Sequence, residues 1–163
     1  MKDITNIQTG HFAKPIGIGN VLYLQSKHFD EFGQLNSVLH PDLVADKISK
    51  RHLLKEGDVL FAAKGTKNFA AVFENHYEPA VGSTSFFVLR PTEQSILSQY
   101  WAWQRNSNTT QTLLKGQAIG TSIPSISKQI LENLEITVPS IEIQMRIQQI
   151  TKLRNKEKRL KQK

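Results

Sequence analysis

The 163-residue sequence contains no cysteine, which excludes disulfides, cysteine nucleophiles and thiolate metal sites. It also lacks any run of about 18 apolar residues, the length that a membrane-spanning helix needs, and its start does not have the pattern of a signal peptide. The five histidines lie far apart, with no pair spaced to chelate a metal on one helix face. We therefore expect a cytoplasmic protein of about one domain that binds no metal and no cofactor.

Motifs of common enzyme classes are absent as well. The sequence has no G-x-x-x-x-G-K-[ST] loop to hold phosphates and no G-x-S-x-G turn to present a nucleophilic serine. Gly17 and Gly19 form a lone G-x-G without the third glycine of a dinucleotide-binding loop. Neither nucleotide binding nor hydrolase chemistry is supported.

Positive charge is abundant but unevenly distributed. The net charge is +7, and residues 145–163 contain eight of the 21 Lys and Arg but one of the 14 acidic residues. Residues 1–144 are therefore balanced, with 13 basic and 13 acidic side chains. Bulk charge alone does not indicate DNA binding by this body, although Lys and Arg collected on one face could still provide it. The basic tail is equally well explained as a solvated helix face.

The body is predicted to be rich in strands. Glycines punctuate the first 40 residues, and apolar runs predict strands near residues 59–63, 70–73 and 85–89. Pro41 is expected to open a helical turn. Residues 95–106 have helical spacing, with Trp101 and Trp103 on opposite sides, so at least one should lie in the core. Residues 107–110 and 115–120 are predicted to be a turn and an irregular loop.

Residues 120–147 (GTSIPSISKQILENLEITVPSIEIQMRI) are the most informative stretch. Ser127 is a suitable N-cap for a short helix through Asn133, and alternating apolar residues at 134–138 predict a strand that Pro139 closes. Ser140 can cap the next helix, with Glu142 in its first turn. That helix carries a narrow apolar stripe that suits a partner helix better than a globular core. The stripe consists of Ile143, Ile147, Ile150, Leu153 and Leu160.

The pattern G-t-s-I-P-x-I-S followed by I-x-V-P-x-x-E-x-Q-x-x-I resembles the end of a target-recognition domain in the specificity (S) subunits of type I restriction-modification systems. Residues 21–35 (VLYLQSKHFDEFGQL), 55–65 (KEGDVLFAAKG) and 88–91 (VLRP) resemble further segments of these domains in the same order. The resemblance implies an α+β fold: a strand-rich domain over residues 1–139 with an internal aromatic helix, followed by one long protruding helix over residues 140–163.

The resemblance also implies a function without catalysis. Such a domain reads half of a split target in double-stranded DNA, while separate methyltransferase and restriction/translocase subunits supply the chemistry. With one domain and one helix, the chain resembles half a specificity subunit, which implies a homodimer or pairing with a second recognition domain through the helix. Consistently, no Asp or Glu is followed two residues later by Lys, as one nuclease class requires, and no two prolines are adjacent, as amino-methyltransferases require.

The primary candidate DNA-binding residues lie in two glycine-containing loops, residues 64–68 (KGTKN) and 115–122 (KGQAIGTS), whose side chains include donors and acceptors. Lys pairs with guanine and Asn or Gln with adenine, and glycines permit close backbone approach. The primary candidates are Lys64, Lys67, Asn68, Lys115, Gln117, Thr121 and Ser122, and the secondary candidates are Arg105, Asn106, Gln25, Ser26 and Lys27. Two alternatives stay open: a protein-interaction adaptor without sequence-selective DNA binding, and a recognition domain detached from a fused methyltransferase-nuclease.

Overall fold

The computed structural model describes residues 4–77, 79–119 and 122–162. It contains six strands and four α-helices within these ranges, which confirms the α+β class. The strands are β1 (Thr5–Thr9), β2 (Leu22–Leu24), β3 (Val59–Ala62), β4 (Ala70–Val72), β5 (Ala80–Gly82) and β6 (Phe86–Pro91). The helices are α1 (Ser98–Asn106), α2 (Asn108–Gln117), α3 (Lys128–Asn133) and α4 (Ile141–Lys161).

The main sheet is antiparallel, with the strand order β1-β6-β3-β4, and β2 pairs with β5 in a small parallel sheet. Strand β3 is buried on both faces because its apolar run is continuous rather than alternating. Phe61 packs on one side in a core with Trp101 and Leu114, whereas Leu60 packs on the other side with Phe69 and other aromatic side chains. Strand β3 thus separates a core covered by helices from a core covered by loops and the small β2–β5 sheet.

An ion pair between partly buried Arg90 and buried Asp58 lies at the end of the sheet where β3 begins. The Arg90 guanidinium donates to both carboxylate oxygens of Asp58 at 2.7 and 2.6 Å, and Arg90 also donates to the carbonyl of Leu53. Bidentate geometry of this kind is among the strong charge-assisted contacts in proteins. The Asp58 hydrogen bond raises the pKa of Arg90. The Gly-Asp turn before β3 is therefore fastened to β6.

Helix α1 shields the edge strand β4. The side-chain amide of Asn106 accepts from the N–H of Ala70 and donates to its carbonyl, both at 2.8 Å, as a neighbouring strand would. Gly33 also approaches this edge, at φ +76°, where a Cβ would lie 2.4 Å from the carbonyl oxygen of Ala70. The edge is thus covered at Ala70.

A fully buried glutamine anchors α4. The Gln144 side chain accepts from the N–H of Leu97 at 2.8 Å and donates to the carbonyls of Ser95 and Pro139 at 2.8 and 2.9 Å. At the far end of α4, Arg159 donates to the side-chain oxygen of Gln34 at 2.6 Å. The helix is therefore held to the body at both ends.

Several local predictions are confirmed. Ser127 and Ser140 cap α3 and α4, because their hydroxyls accept from the N–H groups of Ile130 and Ile143. Trp101 is buried, whereas Trp103 is partly exposed. The apolar stripe of α4 lies mostly outside the core: Ile147 is half-buried, and Ile143, Ile150, Leu153 and Leu160 are exposed.

Three local predictions are wrong. Residues 134–138 do not form a strand; instead Leu134 packs into the core, and the Tyr100 hydroxyl donates to the carbonyl of Thr137. The segment predicted to be a turn and an irregular loop is mostly helix α2, because Ser107 supplies an N-cap and Gly116 is tolerated in its last turn. Pro41 does not open a helical turn, which begins only at Ala45.

We expect Gln144→Leu to lower the free energy of unfolding by about 3 kcal/mol, because three buried backbone groups lose their hydrogen-bond partner while the side-chain volume is kept. Urea unfolding measures this change. The matched control is Gln149→Leu on the exposed side of α4, which should stay within about 0.5 kcal/mol of the parent. Equal stability of the two variants would contradict the anchoring role of Gln144.

Candidate nucleic-acid interface

The sheet register brings three chain segments to one end of the molecule. Ala62 at the end of β3 lies opposite Phe86 at the start of β6, and Phe87 lies opposite Thr9 at the end of β1. The N–H of Gly10 then donates to the carbonyl of Phe86 at 3.0 Å. The chain leaving β1, the turn entering β6 and the loop leaving β3 therefore emerge together. We call this surface the loop end.

The two predicted reading loops meet at the loop end. Ser125 forms isolated bridges with both Lys64 and Ile119, so the segment after α2 folds back on itself and lies beside the loop after β3. Gly65 donates its N–H to the carbonyl of Pro124, and Ile126 donates to the carbonyl of Ala63, both at 2.8 Å. Although Lys64 and Ile119 are 55 residues apart in sequence, they share one backbone partner.

The third candidate segment reaches the same end by another route. Gln25, Ser26 and Lys27 follow β2 in a short turn, Ser26–His28. Strand β2 runs parallel to β5, which leads into the turn at residues 83–85 before β6, and the N–H of Ser83 donates to the carbonyl of Leu24 at 2.9 Å. Parallel pairing thus brings this turn toward the loop end.

Most of the primary candidates are exposed. Lys64, Lys67, Lys115, Gln117 and Ser122 all present their side chains to solvent, and Lys67 lies 4.0 Å from Glu31 in a surface ion pair. Lys115 and Gln117 belong to the last turn of α2 rather than to an irregular loop. Thr121 lies outside the described residues.

Asn68, one of the predicted DNA contacts, is buried. Its side-chain amide donates to the carbonyl of Ala62 at 2.9 Å, and its own carbonyl accepts from the side chain of Gln111 at 2.7 Å. Asn68 therefore ties the loop after β3 to the end of β3 and to α2. Its polarity serves the internal hydrogen bonds of the loop.

Arg105 and Asn106 also have internal positions. The Arg105 side chain is 0% exposed, with its guanidinium 5.1 Å from the centre of the Trp101 ring. Burial lowers the pKa of Arg105 to about 9. Asn106 is occupied by the edge of β4. Arg105 and the amide of Asn106 therefore serve internal contacts of the fold, and their contact with DNA stays a prediction.

Exposed acidic and basic side chains are concentrated at different ends of the main sheet. Glu56, Glu74 and Glu93 are exposed where β3 begins, β4 ends and β6 ends, at the end opposite the loop end. Lys64, Lys67 and Lys115 lie at or beside the loop end. Exposed lysines thus collect at the loop end, where Glu31 pairs with Lys67, and three exposed glutamates lie at the opposite end together with Lys55.

Two exposed apolar side chains of the interface were missed by sequence reasoning. Ile119 and Ile123 are 70% and 67% exposed on either side of the returning segment. Large apolar residues inside a glycine-containing loop were the available signal, because a loop without a core to cover does not need them. They add apolar contact capacity beside the lysines.

Metal and membrane functions gain no support from the described part of the chain. Within residues 4–77, 79–119 and 122–162, no group of His, Asp or Glu side chains is arranged to hold a metal ion. Of the helices in the same ranges, none combines the length and apolarity needed to cross a membrane.

The sequence matches the family model of the type I restriction modification DNA specificity domain over residues 42–162. The chain belongs to this family. The match includes the turn before β3, the two predicted reading loops and α4, so the resemblance seen in the sequence is confirmed. No curated protein is similar enough to count as a match.

Solved structures share the fold of this specificity domain. The HsdS subunit from Thermoanaerobacter tengcongensis matches with a TM-score of 0.61 and 21% identity over 86% of this chain and 37% of its own. The S subunit of a type I restriction-modification system from M. genitalium matches with a TM-score of 0.64 and 14% identity over 94% and 37%.

A third chain, from a study of complex assembly and conformational transition of the type I R-M system, matches with a TM-score of 0.65 and 17% identity. The match covers 99% of this chain and 38% of that chain. The specificity domain described here therefore spans well under half the length of the chains whose fold it shares.

The turn at Ser26–His28 should make stability sensitive to acid. Burial, with a smaller contribution from Lys27, lowers the pKa of His28, whose Nδ1 accepts from the N–H of Gln25 at 3.1 Å. The unfolded chain then binds more protons than the folded chain, so stability falls as pH drops below about 6.5. The pKa of His52 is also lowered, so this histidine contributes in the same direction.

We expect His28→Asn to flatten this decline, since an amide oxygen can accept from Gln25 without titrating. Thermal unfolding at a series of pH values between about 5 and 7.5 measures the effect. His40→Asn, which removes an exposed histidine, is the control. Identical pH profiles for the parent and His28→Asn would show that the turn does not contribute.

Proposed function

We propose that this chain is the DNA-reading part of a type I restriction-modification specificity subunit and that it reads one half of a bipartite target in double-stranded DNA. The observation that carries the proposal is the joining of the two reading loops through Ser125 at the cationic end of the sheet. Family membership over residues 42–162 supports DNA specificity as the role of this surface.

Base readout follows from the exposed side chains of the interface. Lys64, Lys67 and Lys115 can donate to guanine O6 and N7, and Gln117 can form a bidentate pair with adenine. Ser122 and Thr121 complete the primary set, with Gln25, Ser26 and Lys27 as flanking contacts. Ile119 and Ile123 can contact thymine methyl groups. Backbone hydrogen bonds between the loops limit the flexibility that binding would otherwise have to remove.

The chain acts in this proposal without catalysing a reaction, and its methyltransferase and restriction/translocase partners supply the chemistry. Residues 1–139 read DNA, and residues 140–163 form the assembly helix that docks the partners in the cytoplasm. Family membership makes the adaptor alternative less favourable. A recognition domain of a fused methyltransferase-nuclease would use the same reading surface.

The outward apolar stripe supports pairing of α4 with a second helix. Leu153 is 68% exposed, and its stripe neighbours Ile143, Ile150 and Leu160 are also exposed. Exposed apolar residues that recur at this spacing gain stability when a partner helix covers them. We propose that the partner is a second copy of this chain or the helix of a second recognition domain.

Selection from random duplex DNA tests the reading function. We expect the parent to enrich a defined sequence. Lys64→Ala combined with Lys115→Ala should weaken binding to that sequence by roughly 10-fold or more and relax selection at one or more positions, since each good base contact contributes about 1–3 kcal/mol. Lys55 is an exposed lysine that precedes β3 at the opposite end of the sheet, and Lys55→Ala should change the affinity less than about twofold. A parent that enriches no sequence would contradict the proposal.

Light scattering at several concentrations tests the assembly helix. Ile150→Glu combined with Leu153→Glu should convert a dimer to a monomer, because the new carboxylates would have to be buried between two helices. Lys152→Glu combined with Lys156→Glu adds acidic groups to α4 outside the stripe and should preserve the dimer. Unchanged mass for the Ile150 and Leu153 variant would refute pairing through the stripe.

A further inference from the structure

A second cationic surface lies next to the reading loops, outside the residues that the sequence pattern singles out. It is built on two short 3-10 turns, Ala45–Lys47 and Lys50–His52. Ala45, Ile48 and Leu53 pack against the small core of Val21, Tyr23, Leu43 and Val81. Burying the apolar side of this segment turns its basic side outward.

The outward side consists of Lys47, Lys50 and Arg51, all of which are exposed. Asp46 is the one acidic residue between positions 44 and 55. Among the residues that the structure describes, no carboxylate forms a salt bridge with any of these three basic side chains. Their charges are therefore available to an external anion.

Two contacts fasten this basic segment to the loop end. The Gln8 side chain of β1 donates to the carbonyl of Arg51 at 3.1 Å, and the rings of His11 and His52 lie 4.9 Å apart. His11 lies two residues after the end of β1, where the chain emerges at the loop end, and its N–H donates to the carbonyl of Gly82. The two histidines thus connect the basic segment to the loop end.

The electrostatic environment of His52 reflects the same concentration of positive charge. Burial lowers the pKa of His52 first, and both His11 and Arg51 lower it further. The lowered pKa makes His52 itself less cationic, so the positive charge of this surface comes from Lys47, Lys50 and Arg51.

The spacing of the strands relates this surface to the reading loops. The chain leaving β1 is separated from the chain leaving β3 by β6, which is two strand spacings or roughly 10 Å. The major groove of B-DNA is about 12 Å wide. A loop that enters the groove from the end of β3 would therefore bring the segment beside β1 close to the sugar-phosphate backbone at the groove wall.

We propose that Lys47, Lys50, Arg51, His52 and His11 form a phosphate-binding surface that holds the DNA backbone beside the base-reading loops. This inference rests on the proposed DNA-reading function. Contacts of this kind fix the register and orientation of a protein on the duplex without carrying sequence information. The two surfaces have distinct tasks: the loops select the sequence, and the basic segment positions the loops.

The test compares the salt dependence of binding for two double variants, using the duplex that the parent enriches and an unrelated duplex of equal length. Lys50→Ala combined with Arg51→Ala should weaken binding to both duplexes by a similar factor and leave the enriched sequence unchanged. The slope of log K against log salt should become shallower by about 0.9 for each phosphate that the variant no longer neutralises. Lys64→Ala combined with Lys115→Ala should instead alter the enriched sequence.

Lys55→Ala is the matched control, because this exposed lysine follows the basic segment but lies toward the opposite end of the sheet. The backbone contact of Arg51 with Gln8 is kept in the double variant, so its melting temperature should match that of the parent. If the parent enriches a sequence but the Lys50 and Arg51 variant keeps both affinity and salt slope, the phosphate-binding surface is refuted alone. If the parent enriches no sequence, the proposed reading function is itself contradicted, and the phosphate-binding surface that rests on it is contradicted with it.

Discussion

The orientation of α4 depends on one buried amide, that of Gln144. Its three hydrogen bonds satisfy the N–H of Leu97 before α1 and the carbonyls of Ser95 and Pro139, so the start of α4 is fixed both to the α1 region and to its own N-terminal extension. Because the face of α4 that carries Gln144 points into the body, most of the apolar stripe of α4 points to solvent. The same contact therefore stabilises the body and exposes the surface proposed for assembly.

A different constraint, strand register, organises the body. Antiparallel pairing places the end of β3, the end of β1 and the start of β6 on one side, and parallel pairing of β2 with β5 adds the turn at Ser26–His28. Acidic side chains at Glu56, Glu74 and Glu93 lie at the other side. A chain segment with no net charge can thus present a cationic surface, because the fold separates charges that the composition averages.

Features set by local chemistry could be predicted from the sequence. Ser127 and Ser140 are followed by helices because a serine side chain satisfies a free N–H wherever the next residues favour helix. The Gly-Asp turn and the apolar run of β3 are local in the same way. Composition suggests the two predicted reading loops, but their proximity depends on the bridges of Ser125, which sequence order does not show.

Features that depend on distant partners could not be predicted. Residues 134–138 have the alternating pattern of a strand but do not form one. Instead, the Tyr100 hydroxyl binds the carbonyl of Thr137, and Leu134 packs into the core. Asn68 and Arg105 have the same side chains as exposed DNA contacts, and only the packing around them distinguishes the two roles. The basic segment built on the turns Ala45–Lys47 and Lys50–His52 is not apparent from the net charge of residues 1–144, because acidic residues elsewhere in the chain balance its charge.

The contact between Arg159 and Gln34 limits how far the free end of α4 can tilt away from the body. From Gln144 to the far end of α4 the helix extends about 25 Å, so a tilt of about 10° at its base would move that end by roughly 4 Å. This displacement exceeds the rise of one base pair, about 3.4 Å. If α4 were held only near Gln144, a small change in its angle would displace its far end by several ångströms. The second contact, at Arg159, opposes that displacement. If α4 takes part in the proposed assembly, the second contact would fix the position of its far end more accurately.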